Sequence, residues 1–185
     1  MFYICNMFKH VFRIVVLLLL GFLTRCNDKI EYSIIPEILM SDKQVFLNPT
    51  QMIINFTDGD GDIGLTQSDS ATPPYNFVPD SSNPEMSSNI YYYNLILHYY
   101  EKRDSVWEFI DFKEPLIGDE LPVPFHGQVP IITPSGQNKA LKGEIQLDID
   151  LGLSFTRTDS IRFEIILIDR ELHESNRLVT PAIYK

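Results

Sequence analysis

The chain has 185 residues, with 15 basic and 25 acidic side chains and a formal net charge of −10. That balance excludes functions built on phosphate neutralisation, because nucleic-acid binding needs clustered Lys and Arg. Hydrophobic residues at 44% and aromatics at 12% exclude general disorder, and only two cysteines, Cys5 and Cys26, exclude a disulfide-rich scaffold.

Residues 1–25 read as a signal peptide. Lys9, His10 and Arg13 form a basic start, and Ile14–Leu23 is a ten-residue apolar run. Such a run is too short to cross a hydrocarbon core of roughly 30 Å as a helix, so it is expected to be an export signal rather than an anchor. The segment 1–6 adds no charge, so either Met1 or Met7 fits as the start. The run closes on Leu23-Thr24-Arg25-Cys26. This resembles the lipobox of bacterial lipoproteins, with Arg25 standing where a small residue is usual. The resemblance implies that Cys26 carries the lipid (palmitate or a similar acyl chain) and becomes the first mature residue. The alternative is an ordinary signal peptide with a chance cysteine. Cleavage there would leave 160 residues and a charge nearer −13, since Lys9, Arg13 and Arg25 are removed. Residues 26–32 read as a polar tether, and 33–185 as one domain.

Strand periodicity dominates the rest. Ile145, Leu147, Ile149 and Leu151 alternate with Glu144, Gln146, Asp148 and Asp150. Ile161, Phe163, Ile165 and Leu167 repeat the pattern, and Met52, Ile54 and Phe56 do so more briefly. A period of two marks half-buried strands. Strands are expected near 34–40, 44–48, 51–57, 89–102, 106–112, 140–150, 160–169 and 177–184. Residues 91–102 and 106–112 are expected to form a hairpin through Arg103-Asp104-Ser105. Pro181 argues for a sheet edge or a strand end. No long segment has a clean helical period. The expected fold is therefore all-β, an antiparallel sandwich of immunoglobulin or fibronectin type with about 7–8 strands.

The most specific stretch is Asn55-Phe56-Thr57-Asp58-Gly59-Asp60-Gly61-Asp62-Ile63-Gly64. Aspartates at alternate positions, separated by glycine, let a tight loop turn Asp58, Asp60 and Asp62 toward one point. Hard carboxylate oxygens in that arrangement suit calcium. Ile63 stands where a helical calcium loop needs Gly, Asp69 where it needs Glu, and the flanks are not helices, so an EF-hand is rejected. The competing reading is a solvated acidic turn.

Residues 66–88 form an irregular insert rich in Ser, Pro, Asn and Asp, longer than ordinary loops and so either functional or mobile. Residues 113–138 are a second Pro- and Gly-rich connection. The aromatic run Tyr91–Tyr100 places rings on both faces of its strand. One face must be core; the other would stack sugars or a peptide, or else pack across the sheet. Ile168-Asp169-Arg170-Glu171-Leu172-His173-Glu174-Ser175-Asn176 lies between the last two strands. It resembles the closing turn of bacterial immunoglobulin-like and fibronectin-type domains. Asp169 would approach the aspartate loop if both lie at one end of the sandwich; otherwise Asp169 and Ser175 cap a turn.

Taken together, Cys26, residues 56–64, Lys142-Gly143-Glu144 and the Asp169, Arg170, Ser175, Asn176 turn resemble a recurrent type of Bacteroidota envelope lipoprotein. That resemblance implies an immunoglobulin-like module held by lipid in the cell envelope, at the outer membrane, with no reaction attached. The expected function is a non-enzymatic binding or assembly module whose partner is an envelope protein or a glycan. A carboxylate-based glycan hydrolase and a purely structural spacer are the alternatives. His98, His126 and His173 are scattered, and no nucleophile elbow, phosphate loop or zinc motif occurs.

Overall fold

The computed structural model describes residues 31–43, 50–111, 125–132, 139–149 and 160–184. The expected signal peptide, Cys26, most of the tether and the strand near 44–48 lie outside them.

Among the described residues, eight strands form two antiparallel sheets. The first sheet has the order β1 (Glu37–Met40), β2 (Thr50–Asp58), β5 (Leu141–Ile149). The second has β4 (Val106–Phe109), β3 (Leu95–Arg103), β6 (Ser160–Leu167) and β7 (Leu178–Val179), with β8 (Ile183–Tyr184) also paired to β6. The architecture is the all-β sandwich that the alternation predicts. Among the described residues the only helical elements are two 3-10 turns, Asp69–Ala71 and Ile90–Tyr92.

The core lies between the sheets. Ile38, Met52, Ile54 and Phe56 face Leu97, Tyr99, Phe163, Ile165 and Leu167. Met52, Ile54, Phe56, Phe163, Ile165 and Leu167 belong to the alternating sets read from the sequence, and Leu97 and Tyr99 mark which face of the aromatic run is core. Gly143 sits opposite Phe56 in the β2–β5 ladder, and a Cβ there would press on the Phe56 ring. The glycine inside this strand therefore admits an aromatic side chain.

Two expectations change. The strand expected from 89 begins only at Leu95. Before it, the Asn89 side chain accepts from Tyr91 N (3.2 Å), and Tyr92 N donates to Asn89 O (3.1 Å), closing a 3-10 turn. Side-chain competition for backbone donors outweighs the β-propensity of three tyrosines here. The last strand is split into β7 and β8 around Thr180-Pro181-Ala182, as a proline without an N–H requires. The hairpin forms as expected. Asp104 and Ser105 both take positive φ, 48° and 67°, the loop geometry that matches strand twist.

Asn176 stitches the sheets together. Its side-chain oxygen accepts from Ile38 N (2.8 Å) and its amide donates to Ile38 O (2.9 Å). A side-chain amide so occupies the free edge of β1, where a neighbouring strand would otherwise pair.

Candidate metal site at one end of the sandwich

β2 ends at Asp58, and β6 is followed directly by Ile168 and Asp169. One end of the sandwich thus receives an aspartate from each sheet. The loop after Asp58 folds back because its glycines permit it. Gly61 has φ +68°, and a Cβ there would fall on the Lys139 carbonyl oxygen; Gly64 has φ +113° against Pro130. Only glycine adopts these conformations at little cost. Gly59 N donates to Ser33 O (2.7 Å) and Asp62 N to Asp58 Oδ2 (3.1 Å), which curls the loop around the first carboxylate.

One oxygen each from Asp58, Asp62 and Asp169 lie within 4.8 Å of one another. A second trio, Asp60, Asp62 and Glu171, meets the same limit and shares Asp62. Asp58 is 0% exposed and Asp169 2%. Oδ1 of Asp58, Asp60 and Asp62 are all buried without a hydrogen-bond partner. Burial pushes the Asp58 carboxyl up to about 6, with Asp60 adding to the effect. Burial also pushes Asp62 up to about 6, helped by Asp169.

The nearby cationic side chains bond Asp69 and Asp169 rather than Asp58 or Asp62. Arg170 turns outward to bond Asp69 (2.8 and 3.3 Å) and the Gly64 carbonyl (3.2 Å), and it holds the Asp69 carboxyl well below the usual range. Tyr75 donates its hydroxyl to the Arg170 carbonyl and lies under the guanidinium. His173 bonds Asp169 twice, through its backbone N (2.8 Å) and Nδ1 (2.9 Å), and that carboxylate raises its pKa. These bonds fix the rotamer of Asp169, as an outer partner orients a ligating carboxylate.

The structure therefore brings Asp58, Asp62 and Asp169 together, and sets Asp60 beside Asp62 and Glu171. Asp169 also does what a turn-capping aspartate does, since it binds the His173 amide. The two sequence readings of this residue are compatible. Glu171 carries no signal in the sequence; it precedes the left-handed Leu172 (φ 66°).

The insert 66–88 is stitched by backbone and side-chain bonds. Asn89 Nδ2 donates to the Pro74 and Asn76 carbonyls (2.7 and 2.8 Å), and Ser88 N to Val78 O (2.8 Å). Against residues 128–130 it encloses an open cleft of about 590 Å³ lined by Leu65, Gln67, Ser70, Tyr92, Gln128 and Pro130, among others. Comparison with protein-family models, curated proteins and solved structures finds no match to the chain.

Proposed function

We propose that this chain is an exported, calcium-stabilised binding or assembly module, without enzymatic activity, held in the cell envelope by a lipid on Cys26. The observation that carries the calcium reading is the fully buried Asp58, whose Oδ1 has no partner beside two further carboxylates. An all-oxygen set of carboxylates fits a hard cation, and calcium tolerates the irregular geometry of a strand-end loop better than magnesium. Without a cation each pair of ionised carboxylates costs about 1 kcal/mol in water and about 4 at an effective dielectric of 20. The ion's chemistry here is structural: it joins the end of β2 to the turn after β6, one ligand from each sheet.

The same geometry argues against the hydrolase reading. A glycosidase sets its two carboxyl groups roughly 5–9.5 Å apart across the bond to be cut. Asp58, Asp62 and Asp169 here converge within 4.8 Å of one another, and Asp58 and Asp169 are buried. The address rests on the sequence alone, on the apolar run that ends at Cys26.

Two measurements test the proposal. Titration calorimetry of the chelated protein is expected to show calcium binding at about 10⁻⁴–10⁻³ M, the range of extracellular modules, and no heat in Asp58→Asn; an absence of heat in the unmodified protein removes the calcium reading. Cys26→Ala is expected to move the protein from membrane to soluble fractions. Membrane retention of that variant, with no labelled fatty acid on the wild type, removes the lipid anchor.

A further inference from the structure

β5 is the longest open edge among the described strands. It ends the first sheet, in the order β1-β2-β5, and runs for nine residues, Leu141–Ile149. β1 and β4 have four residues each, and Asn176 already occupies the edge of β1. A long row of unpaired edge groups is a template for another strand.

The ladder fixes which groups point outward. Ser41 N donates to Ile53 O (2.9 Å), so Ile53 faces β1. Bonding alternates residue by residue in an antiparallel ladder, so Met52 and Ile54 face β5. They pair with Leu147 and Ile145, whose backbone groups therefore face β2. The N–H and C=O of Lys142, Glu144, Gln146 and Asp148 point out of the sheet, and no described residue bonds them.

The side chains of these four residues carry a matching order of charge. Lys142 meets no carboxylate among the described residues. Glu144 is bound by Lys43 (2.9 Å). Asp148 receives only amides, from Gln51 (3.0 Å) and Gln146 (3.4 Å). Lys142 and Asp148 are about 20 Å apart along the strand, at roughly 3.4 Å per residue, so they cannot meet within one chain. They meet when a second β5 lies antiparallel beside the first.

We propose that β5 pairs with β5 of a second copy of this chain about a two-fold axis at Ile145, joining the two three-stranded sheets into one. This register sets Lys142 of each copy against Asp148 of the other and Glu144 against Gln146, and it pairs the whole strand. Both members of each of these pairs have outward backbone groups, so the ladder continues across the axis. Centring on Glu144 would set that carboxylate against itself, and centring on Gln146 would set Glu144 against Asp148. Like charges directly opposite are destabilising. A two-fold contact requires one self-complementary patch, and a strand with its cation near one end and its anion near the other is such a patch. On the inner side, Ile145 and Leu147 are only half-buried at the open edge, and the second copy covers them with its own Ile145 and Gly143. The charge of −10 on each copy opposes association at long range, but salt at about 0.15 M screens it beyond about 8 Å.

Sedimentation equilibrium of the full chain, in density-matched detergent at about 0.15 M salt, reads the association. Wild type is expected to reach a dimer as concentration rises to about 100 µM, the range of a weak contact. The result is expected to be the same in chelator and in calcium, because Lys142 and Asp148 lie outside the aspartate site. Gln146→Pro deletes an outward N–H that β2 does not use, so it is expected to be monomeric with an unchanged β spectrum. Lys142→Glu and Asp148→Lys are each expected to dimerise at least about tenfold more weakly. An equal mixture of the two is expected to recover wild-type affinity, because only the mixed dimer sets opposite charges at both positions. These two variants leave the backbone intact and decide the case if Gln146→Pro does not fold. A wild type that stays monomeric overturns the proposal. So does a dimer that survives in folded Gln146→Pro, which places the contact elsewhere, and so does a mixture that associates no better than its components.

Discussion

Glu101 and Asp58 are both carboxylates at 0% exposure, placed at opposite ends of the sandwich, and they are treated in opposite ways. Glu101 opposes Ile161 at the start of β6, and Asp58 meets Asp169 just beyond its end. Glu101 receives Arg103 at 2.6 and 3.1 Å and the Tyr99 hydroxyl at 3.2 Å. Asp58 receives one backbone amide from Asp62 (3.1 Å), and the carboxylates around it add charge of its own sign. The nearest arginine, Arg170, is bound to Asp69 instead. A buried charge needs a partner. One end supplies it from within the chain as an ion pair; at the other, the proposal is that a bound cation supplies it.

The largest effect is expected where the internal partner is removed. Arg103→Ala takes the guanidinium away from the buried Glu101 carboxylate, and should cost about 3 kcal/mol in urea denaturation, in the range for breaking a buried pair. Glu101→Leu combined with Arg103→Met should recover most of that loss, because both charges then disappear together. A loss under about 0.5 kcal/mol in the single variant, the size of an ordinary surface substitution, would break the comparison at its paired end.

Acid titration sharpens it next. Burial, with a contribution from His98, pushes His126 down to about 4, and its Nδ1 accepts the Leu97 N–H at 3.0 Å. The unfolded chain takes up this proton first, so His126 costs stability as pH falls from about 6.5 toward 4, of order 2–3 kcal/mol in all. Asp58 and Asp62 act with the opposite sign. Their folded pKa values of about 6 exceed the usual carboxylate value, so in chelator their contribution is present below pH 4 and is lost as pH rises toward 6. Saturating calcium requires both deprotonated. Its stabilising effect, read from melts at pH 5 and pH 7.5, should therefore be clearly smaller at pH 5. An equal effect at the two pH values would mean that these two aspartates are not the ligands.

Gly61→Ala tests the loop that gathers the carboxylates. The added Cβ meets the Lys139 carbonyl at a positive φ, and the expected loss is about 1–3 kcal/mol, the range for strained backbone, with calcium binding weakened in parallel. Full calcium affinity in this variant would show that the loop conformation does not set the site.

The sequence makes the sheet legible where alternation is strict. β5 and β6 carry uninterrupted alternating runs and lie close to their expected bounds. It fails at 89–94, where Asn89 and Asn94 take backbone groups as partners; Asn94 bonds Val129 N and O across 35 residues. Nothing local announces such a contact. The aspartate loop is legible because three Asp and two Gly alternate over residues 58–62. The convergence of Asp169 is only conditionally so, since it depends on which end of the sandwich β2 and β6 share. Glu171 is not legible, because nothing local announces its approach to Asp60 and Asp62. Glu101 sits in phase with Leu95, Leu97 and Tyr99, on the face of the aromatic run that the structure shows to be core. Its partner, Arg103, is two residues further on.

The central claim is that the Asp58 end lacks a positive charge that calcium supplies. The most direct measurement is a pair of thermal melts at pH 7.5, one in chelator and one in calcium at ten times its dissociation constant, for wild type and for Asp60→Asn. Wild type should gain about 1.4 kcal/mol from the ion by mass action. Asp60→Asn should gain less, yet melt higher than wild type in chelator, because it removes one of the repelling charges. Identical melting temperatures with and without calcium in wild type, together with an unchanged or lower chelator melt in Asp60→Asn, would contradict the account and leave the loop as an acidic turn.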